Sequence, residues 1–249
     1  MARLTSKTAV ITGGTSGIGL AAARAFVREG ARVALCARDG AKASALAAEL
    51  GEGNLGVSMD VSDVASIASG MRQIATAMGG IDIVVANAGI SIFRPLDEWT
   101  EDDFDRLFSV NTKGQFFTVQ KAVPHMNDGG VIILVGSIAA KLGQPTTSLY
   151  GASKAPALAL AKAFSADLLP RRIRAFCLSP GPTRTEIFER AGLSPDEAEA
   201  ALKRVSASVP IGRASDASEQ AEVAVFLASD DSSFMLGTEV VVDGGKSQL

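Results

Sequence analysis

The chain has 249 residues, 47% hydrophobic, 20% charged and 5% aromatic, with 25 glycines, a globular composition whose length suits one large α/β domain or two small ones. Twenty-four basic against 27 acidic side chains leave a net charge of −3, so neither a nucleic-acid nor an anionic-membrane partner is expected. No apolar run approaches the roughly 18 residues of a membrane span, and Arg3 and Lys7 precede no apolar leader core, so a soluble, cytoplasmic protein is expected. His125 is the one histidine, which excludes a histidine-rich metal cluster, and no metal is expected. Cys36 and Cys177 sit far apart in apolar runs, as buried thiols in a reducing compartment do.

In chain order, β-branched runs at residues 7–12, 31–36, 54–59, 81–86, 131–136, 173–178 and 239–242 predict strands. Between them, residues 18–29, 41–50, 63–78, 103–126, 149–169 and 218–228 carry helical periodicity. Strict alternation of this kind predicts a doubly wound α/β fold, a parallel sheet of about seven strands with helices on both faces. No linker or repeat divides the chain, so residues 1–249 read as a single domain. One long Pro-bounded insertion at 183–214, rich in Glu and Ala, is a candidate substrate lid.

Ligands of open parallel sheets bind beyond the carboxyl ends of the strands, so the residues there carry the functional signal. After the first strand comes TGGTSGIG at residues 12–19, where Gly13, Gly17 and Gly19 allow a tight turn and close approach to a pyrophosphate at a helix N-terminus; Thr15, Ser16 and Ile18 share that turn. Its spacing departs from the usual dinucleotide fingerprint, and an ordinary βα turn is the alternative. After the second strand, Ala37-Arg38-Asp39 bears on the cofactor. An acid there accepts from a ribose hydroxyl, whereas an arginine pairs with a 2′-phosphate. Asp39 is read as a cap of the next helix, which leaves Arg38 to favour a phosphorylated cofactor. Asp60, followed by Val61, either accepts from an adenine amino group or caps a helix. Asn87-Ala88-Gly89 is a flexible turn suited to lying along a ribose, or a plain β-turn. Ser137 follows the fifth strand at the crevice mouth, a position where a serine is also a common N-cap.

The YGASK segment at residues 150–154 is the most informative. Residues four apart share a helix face, so the Tyr150 hydroxyl and the Lys154 ammonium can address one point. A nearby cation favours the phenolate and lowers a tyrosine pKa from about 10 toward a useful general acid/base. Tyr150 is the only tyrosine in the chain.

Taken together, TGGTSGIG, the NAG turn, Asn111 in VNTKG, Ser137 and YGASK resemble the short-chain dehydrogenase/reductase family over nearly the full chain. The resemblance implies a seven-stranded Rossmann-type sheet, hydride transfer with a nicotinamide cofactor and a homotetramer. It also implies a catalytic tetrad of Asn111, Ser137, Tyr150 and Lys154. Pro180, Gly181 and Thr183 resemble the family segment that contacts the carboxamide and pyrophosphate, and Arg38 resembles NADP-preferring members. The expected cofactor is NADP(H), with NAD(H) second. Phe176 stands where relatives commonly carry Asn, and Pro156 is unusual so soon after the lysine; with a helix starting at Leu149 it falls beyond the first turn, where proline is costly.

Ile90, Phe93, Leu142, Gln144, Ile187 and Phe188 are the candidate substrate-lining residues, and their apolar character predicts a hydrophobic or uncharged ketone or secondary alcohol. A rival within enzymes is a 3-oxoacyl-(acyl carrier protein) reductase, which needs a basic docking patch. Residues 125–130 offer no Lys or Arg, leaving Arg171, Arg172 and Arg174 as the substitute. A rival of another class is a nucleotide-sensing binding protein that has lost its chemistry, which the intact tetrad disfavours.

Overall fold

The computed structural model describes residues 2–249. Strands β1 (Thr8–Thr12), β2 (Arg32–Ala37), β3 (Leu55–Ser58), β4 (Ile81–Ala86), β5 (Met126–Val135), β6 (Arg174–Pro180) and, near the C-terminus, Glu239–Val242 form one sheet. All six pairings are parallel. Two further short strands, β7 (Thr183–Arg184) and β8 (Ser215–Asp216), pair with each other, so the last sheet strand is β9, and the order is β3-β2-β1-β4-β5-β6-β9.

The two-residue period of a strand explains why the centres of these runs are apolar on both faces. In β1, Ala9 and Ile11 enter one core and Val10 the other; in β4, Ile83 and Val85 part from Val84 in the same way. The first core is closed by α1 (Gly17–Arg28), α2 (Gly40–Glu49) and α10 (Ala217–Ala228) through Phe26, Ala43 and Val225. The second is closed by α3 (Val64–Met78), α5 (Gly114–Ala122) and α7 (Pro156–Asp167) through Ile67, Val119 and Phe164. Each fully buried Ile, Leu or Phe contributes about 1.5–3 kcal/mol, so both faces must be covered for the sheet to persist. Among the described residues no helix is long and apolar enough to cross a membrane.

The structure departs from the expected elements in three places. The single helix expected over 103–126 is α4 (Glu101–Phe108), a π-turn (Ser109–Lys113) and α5, and β5 starts at Met126. Residues 149–169 form α6 (Ser148–Lys154) and α7, separated at Ala155, so Pro156 opens a helix and its missing N–H falls where little is lost. The 183–214 insertion holds α8 (Ile187–Arg190) and α9 (Pro195–Ala207), the latter started by a Ser194/Glu197 capping box. Phe176 is fully buried in β6, with the Arg174 guanidinium 5.3 Å from its ring centre. Cys36 and Cys177 are buried and free, and burial pushes the Cys36 thiol up to about 12.

Candidate active site

Strand order reverses at β1, whose neighbours β2 and β4 lead away in opposite directions, and that opens a crevice at the carboxyl ends of β1 and β4. The two turns there are fastened to each other. Thr12 Oγ1 accepts from the Asn87 and Ala88 amides, both at 3.1 Å, and Asn87 Nδ2 donates to Thr12 O (2.9 Å) and Gly13 O (3.2 Å). The Asn87 side chain is thus a brace between turns rather than a free polar group. Gly17 takes φ +50°, in the left-handed region that glycine tolerates. Gly19 lies so close to the turn that a Cβ would stand 2.4 Å from Gly13 O. Ser16 is the N-cap of α1 with no side-chain cap bond, so the first amides of α1 face the crevice without an internal acceptor.

Beyond β2 the loop sorts its two charges. Asp39 caps α2, accepting from Lys42 N at 2.9 Å, while Arg38 is exposed at the crevice rim, close enough to lower the pKa of Asp60. Asp60 does not cap a helix: Ser62 N and Oγ both bond to its Oδ1, at 2.9 and 2.7 Å, and Asp63 caps α3 instead. Burial raises the Asp60 pKa, and the Ser62 bonds and Arg38 outweigh that and bring it below the ordinary value.

At the other end of the crevice lies a cavity of about 550 Å³. Ser137, Tyr150 and Lys154 line it, together with Gly13, Ser16, Gly17, Ile18, residues 87–90, Phe93, Gln144, Pro180, Gly181, Thr183, Ile187 and Phe188. Thr15, Gly19, Arg38, Asp60, Val61 and Leu142 are not in its lining; Leu142 instead follows the short turn after Ser137, its amide bonded to Ile138 O. Phe93 stands edge-on to Tyr150 (5.8 Å between ring centres) and meets Phe188 at 6.1 Å, forming an aromatic wall. Sequence reasoning missed the contribution of α9, namely Ala201, Leu202, Arg204 and Val205, and that of Lys246. The capping box and the 198/201/205 apolar spacing carried the helical signal for α9.

The four tetrad positions converge. The π-turn rotates Asn111 inward to complete burial, where Nδ2 donates to Ile90 O and Ser153 Oγ and Oδ1 accepts from Ile90 N, all at 2.9 Å. Ser153 Oγ in turn donates to Tyr150 O at 2.8 Å, which ties Asn111 to the tyrosine's own helix. Lys154 Nζ donates to Val135 O at 3.0 Å, and the same carbonyl accepts from Gln115 Nε2 at 2.8 Å. A Cβ on Gly89 would come 3.0 Å from Lys154 Nζ and 3.2 Å from Asn111 Oδ1, so these two groups meet at one glycine. Ser137 caps the short turn after β5, its Oγ accepting from Ala139 N at 3.1 Å, and it lies close enough to the Tyr150 phenol to favour the phenolate.

The expected depression of the Tyr150 pKa by Lys154 does not hold in the free protein. Burial pushes the phenol above its ordinary value and the neighbouring Ser137 hydroxyl only partly offsets this. Lys154 is desolvated too and is drawn down to about 8, and its ammonium is engaged by the Val135 carbonyl.

A family model described as enoyl-(acyl carrier protein) reductase matches residues 13–247. The chain is 42% identical to the oxidoreductase asL5 of Sarocladium schorii, covering 99% of this chain and 98% of that one. It is 38% identical to a galactitol 2-dehydrogenase of Agrobacterium fabrum, with 98% of each covered. Among solved structures, a Burkholderia cenocepacia short-chain dehydrogenase in complex with NADP superposes with a TM-score of 0.89 at 31% identity, covering 98% of this chain and 99% of that one. A Brucella melitensis 3-ketoacyl-(acyl-carrier-protein) reductase complexed with NADH gives 0.90 at 32% identity and the same coverage. A parallel seven-stranded sheet with these motifs at its carboxyl edge defines the class, and the chain belongs to the short-chain dehydrogenase/reductase family. It is an oxidoreductase.

Proposed function

We propose that this enzyme transfers a hydride between NADP(H) and a small, mostly apolar ketone or secondary alcohol, with Tyr150 as the general acid/base. The observation that carries the reading is the meeting of Tyr150, Ser137 and Lys154 in a cavity whose lining includes the apolar Ile90, Phe93, Ile187 and Phe188. The residues present fit a dinucleotide: the α1 amides are open, and the approach at Gly19 leaves room for nothing larger than hydrogen. Gly13, Thr15, Ser16, Gly17, Ile18 and Gly19 would hold the pyrophosphate, and the backbone of Asn87, Ala88 and Gly89 would line the ribose. Asp60 and Val61 would flank the adenine, with Pro180, Gly181 and Thr183 at the carboxamide. Arg38 would pair with a 2′-phosphate, since Asp39 is already committed to its helix. The bound nicotinamide supplies the hydride.

Within this reading the chain's own groups move and hold the proton. The Tyr150 hydroxyl donates to the carbonyl oxygen during reduction and takes the proton back in reverse. Ser137 donates to the same oxygen, so charge developing there meets a second donor. Lys154 would place its ammonium beside the ribose position. Asn111, saturated by Ile90 and Ser153, works as a positioning residue that holds the Ile90 backbone and the Ser153–Lys154 end of the site in place. Residues 183–214 cover the cleft as a lid.

The relative named galactitol 2-dehydrogenase points to a compound rich in hydroxyls; the walls of Ile90, Phe93, Ile187 and Phe188 favour an apolar compound instead, with Gln144, Thr146 and Thr147 the polar part of the lining. A carrier-protein substrate finds little docking charge either. Arg171 is engaged by Asp128, Val123 O and Met126 O, and Arg174 by Ser229 and Ser232, leaving Arg172 alone exposed. A homotetramer is supported by apolar side chains left exposed, Leu96, Phe104, Leu169, Ile211, Phe234, Leu236 and Leu249. The test is NADPH oxidation over a panel of ketones and 3-oxoesters, with NADH in parallel. Turnover that favours NADPH, reverses toward NADH in Arg38→Asp and vanishes in Tyr150→Phe is the expected result. Cofactor binding without turnover of any carbonyl compound would point to the sensor instead.

A further inference from the structure

The cleft is apolar around Tyr150, yet two cations from distant parts of the chain also line it, Arg204 and Lys246. Arg204 lies in the last turn of α9, beside Val205 and one turn from the buried Ala201. From α9 the chain runs into residues 209–211, which pack against the turn at 243–249. A Cβ on Gly244 would fall 2.6 Å from Ile211 Cγ2 and 2.7 Å from Val209 Cγ1, and Ile211 N donates to Gly244 O at 3.2 Å. That turn is fixed by Asp243, 8% exposed, whose carboxylate accepts from Gly245 N (2.9 Å), Ser247 N (2.7 Å) and Ser247 Oγ (2.6 Å). The segments that carry the two cations are therefore braced against each other, and both cations line the same cavity.

Neither has an anionic partner among the described residues. Asp243 is occupied by its own turn, and nearby acids are paired elsewhere: Glu239 with Lys141 (2.5 Å), Asp216 with Arg184 (3.6 Å) and Glu219 with Arg213 (2.7 Å). Glu186, which shares the lining, has an interaction of its own. Two cations without an acidic partner on one concave, weakly polar lining, Arg204 exposed and Lys246 half-buried, favour an anionic group on the ligand. The places assigned to cofactor phosphates are elsewhere, at the α1 N-terminus and at Arg38.

We propose that Arg204 and Lys246 form a subsite for a carboxylate on the substrate, so that the carbonyl compound is apolar around its reacting centre and anionic at its far end. This rests on the ketone-reductase reading and narrows it. The probes are 4-acetylbenzoate and its methyl ester, which differ in one charge. The wild-type enzyme should show kcat/KM at least tenfold higher for the acid. Arg204→Ala and Lys246→Ala should each remove about tenfold of that preference, the loss of one charge-assisted hydrogen bond. Ester turnover and the NADPH dissociation constant should stay unchanged, and Arg204→Lys should restore most of the preference. Equal kcat/KM for acid and ester overturns the subsite. So does a weaker NADPH dissociation constant in the variants at a constant acid-to-ester ratio, which assigns the cations to the cofactor. Calorimetric titration of both compounds into the NADP⁺-saturated enzyme decides the case without turnover. Tighter binding of the acid that is lost in the variants upholds the subsite even where the reductase reading fails, and equal or absent binding overturns it.

Discussion

Replacing Gly19 by alanine tests the cofactor cradle with a single methyl group. Its Cβ would lie 2.4 Å from Gly13 O and 2.5 Å from Asn87 Nδ2, both parts of the brace between the β1 and β4 turns. Van der Waals contact with carbon begins about 1 Å farther out, so one of the two turns must withdraw by roughly that distance. If the turns stay, the strain lowers stability; if they part, the cradle must be closed again whenever a dinucleotide binds. Overpacking of this size costs about 1–3 kcal/mol, which as affinity is between roughly fivefold and a hundredfold. Gly143→Ala is the control, because its Cβ would meet nothing within 4 Å and its backbone needs no positive φ. NADPH fluorescence titration and thermal unfolding together read both routes. A Gly19→Ala protein with wild-type affinity and wild-type melting would refute the argument that this contact shapes the site.

Lys154→Met should change how stability depends on pH. In the folded chain the lysine pKa falls from 10.5 to about 8, so between those values the unfolded state binds more protons and wild-type stability rises with pH. The Lys154 contribution to that rise is roughly 3 kcal/mol, and urea titrations at pH 7.5 and 10.5 should show the stability difference moving in the wild type's favour by that order; a constant difference would place Lys154 in water. Tyrosinate absorbance reports Tyr150 alone, and in the free enzyme its midpoint should exceed 10.0, moving higher still in Ser137→Ala. A midpoint below 10.0 would mean that a cation, not burial, governs the phenol. Phe93→Ala should raise KM for an aryl ketone about tenfold while leaving NADPH binding intact, since the Phe93 ring touches Tyr150 and Phe188; an unchanged KM would remove the aromatic wall from the substrate's path.

Much of this arrangement was legible because it depends on local pattern. Mostly apolar runs such as the AVI of β1 and the IVVA of β4 leave little solvent face, the glycine turn directly follows β1, and YGASK opens a helical pattern. The π-turn was not legible. SVNTK continues the helical pattern on either side, and only the bonds from Asn111 to Ile90 and Ser153 turn it inward. Pro156 was legible as a conflict but not in its resolution, since the break at Ala155 depends on where the helix begins again. The Tyr150 pKa failed because residue spacing shows proximity and says nothing of desolvation. Lys246 lies nearly a hundred residues from Lys154, and only the packing of its turn on residues 209–211 puts it in the cleft.

The β7–β8 pair has a consequence for how such an enzyme changes its substrate. Thr183 and Ser215 lie opposite each other in register, with their hydroxyls 2.9 Å apart, so the segment between them leaves and rejoins the body at a single clasp. Everything that α8 and α9 add to the wall is carried between those two points, whereas the tyrosine, serine and lysine belong to the sheet side. A segment of different length or composition spliced at the clasp would meet the same anchor geometry. If the segment is the lid proposed above, specificity is modular in the manner of a cassette, and any replacement must still meet Phe93, whose ring packs against both Phe188 and Tyr150.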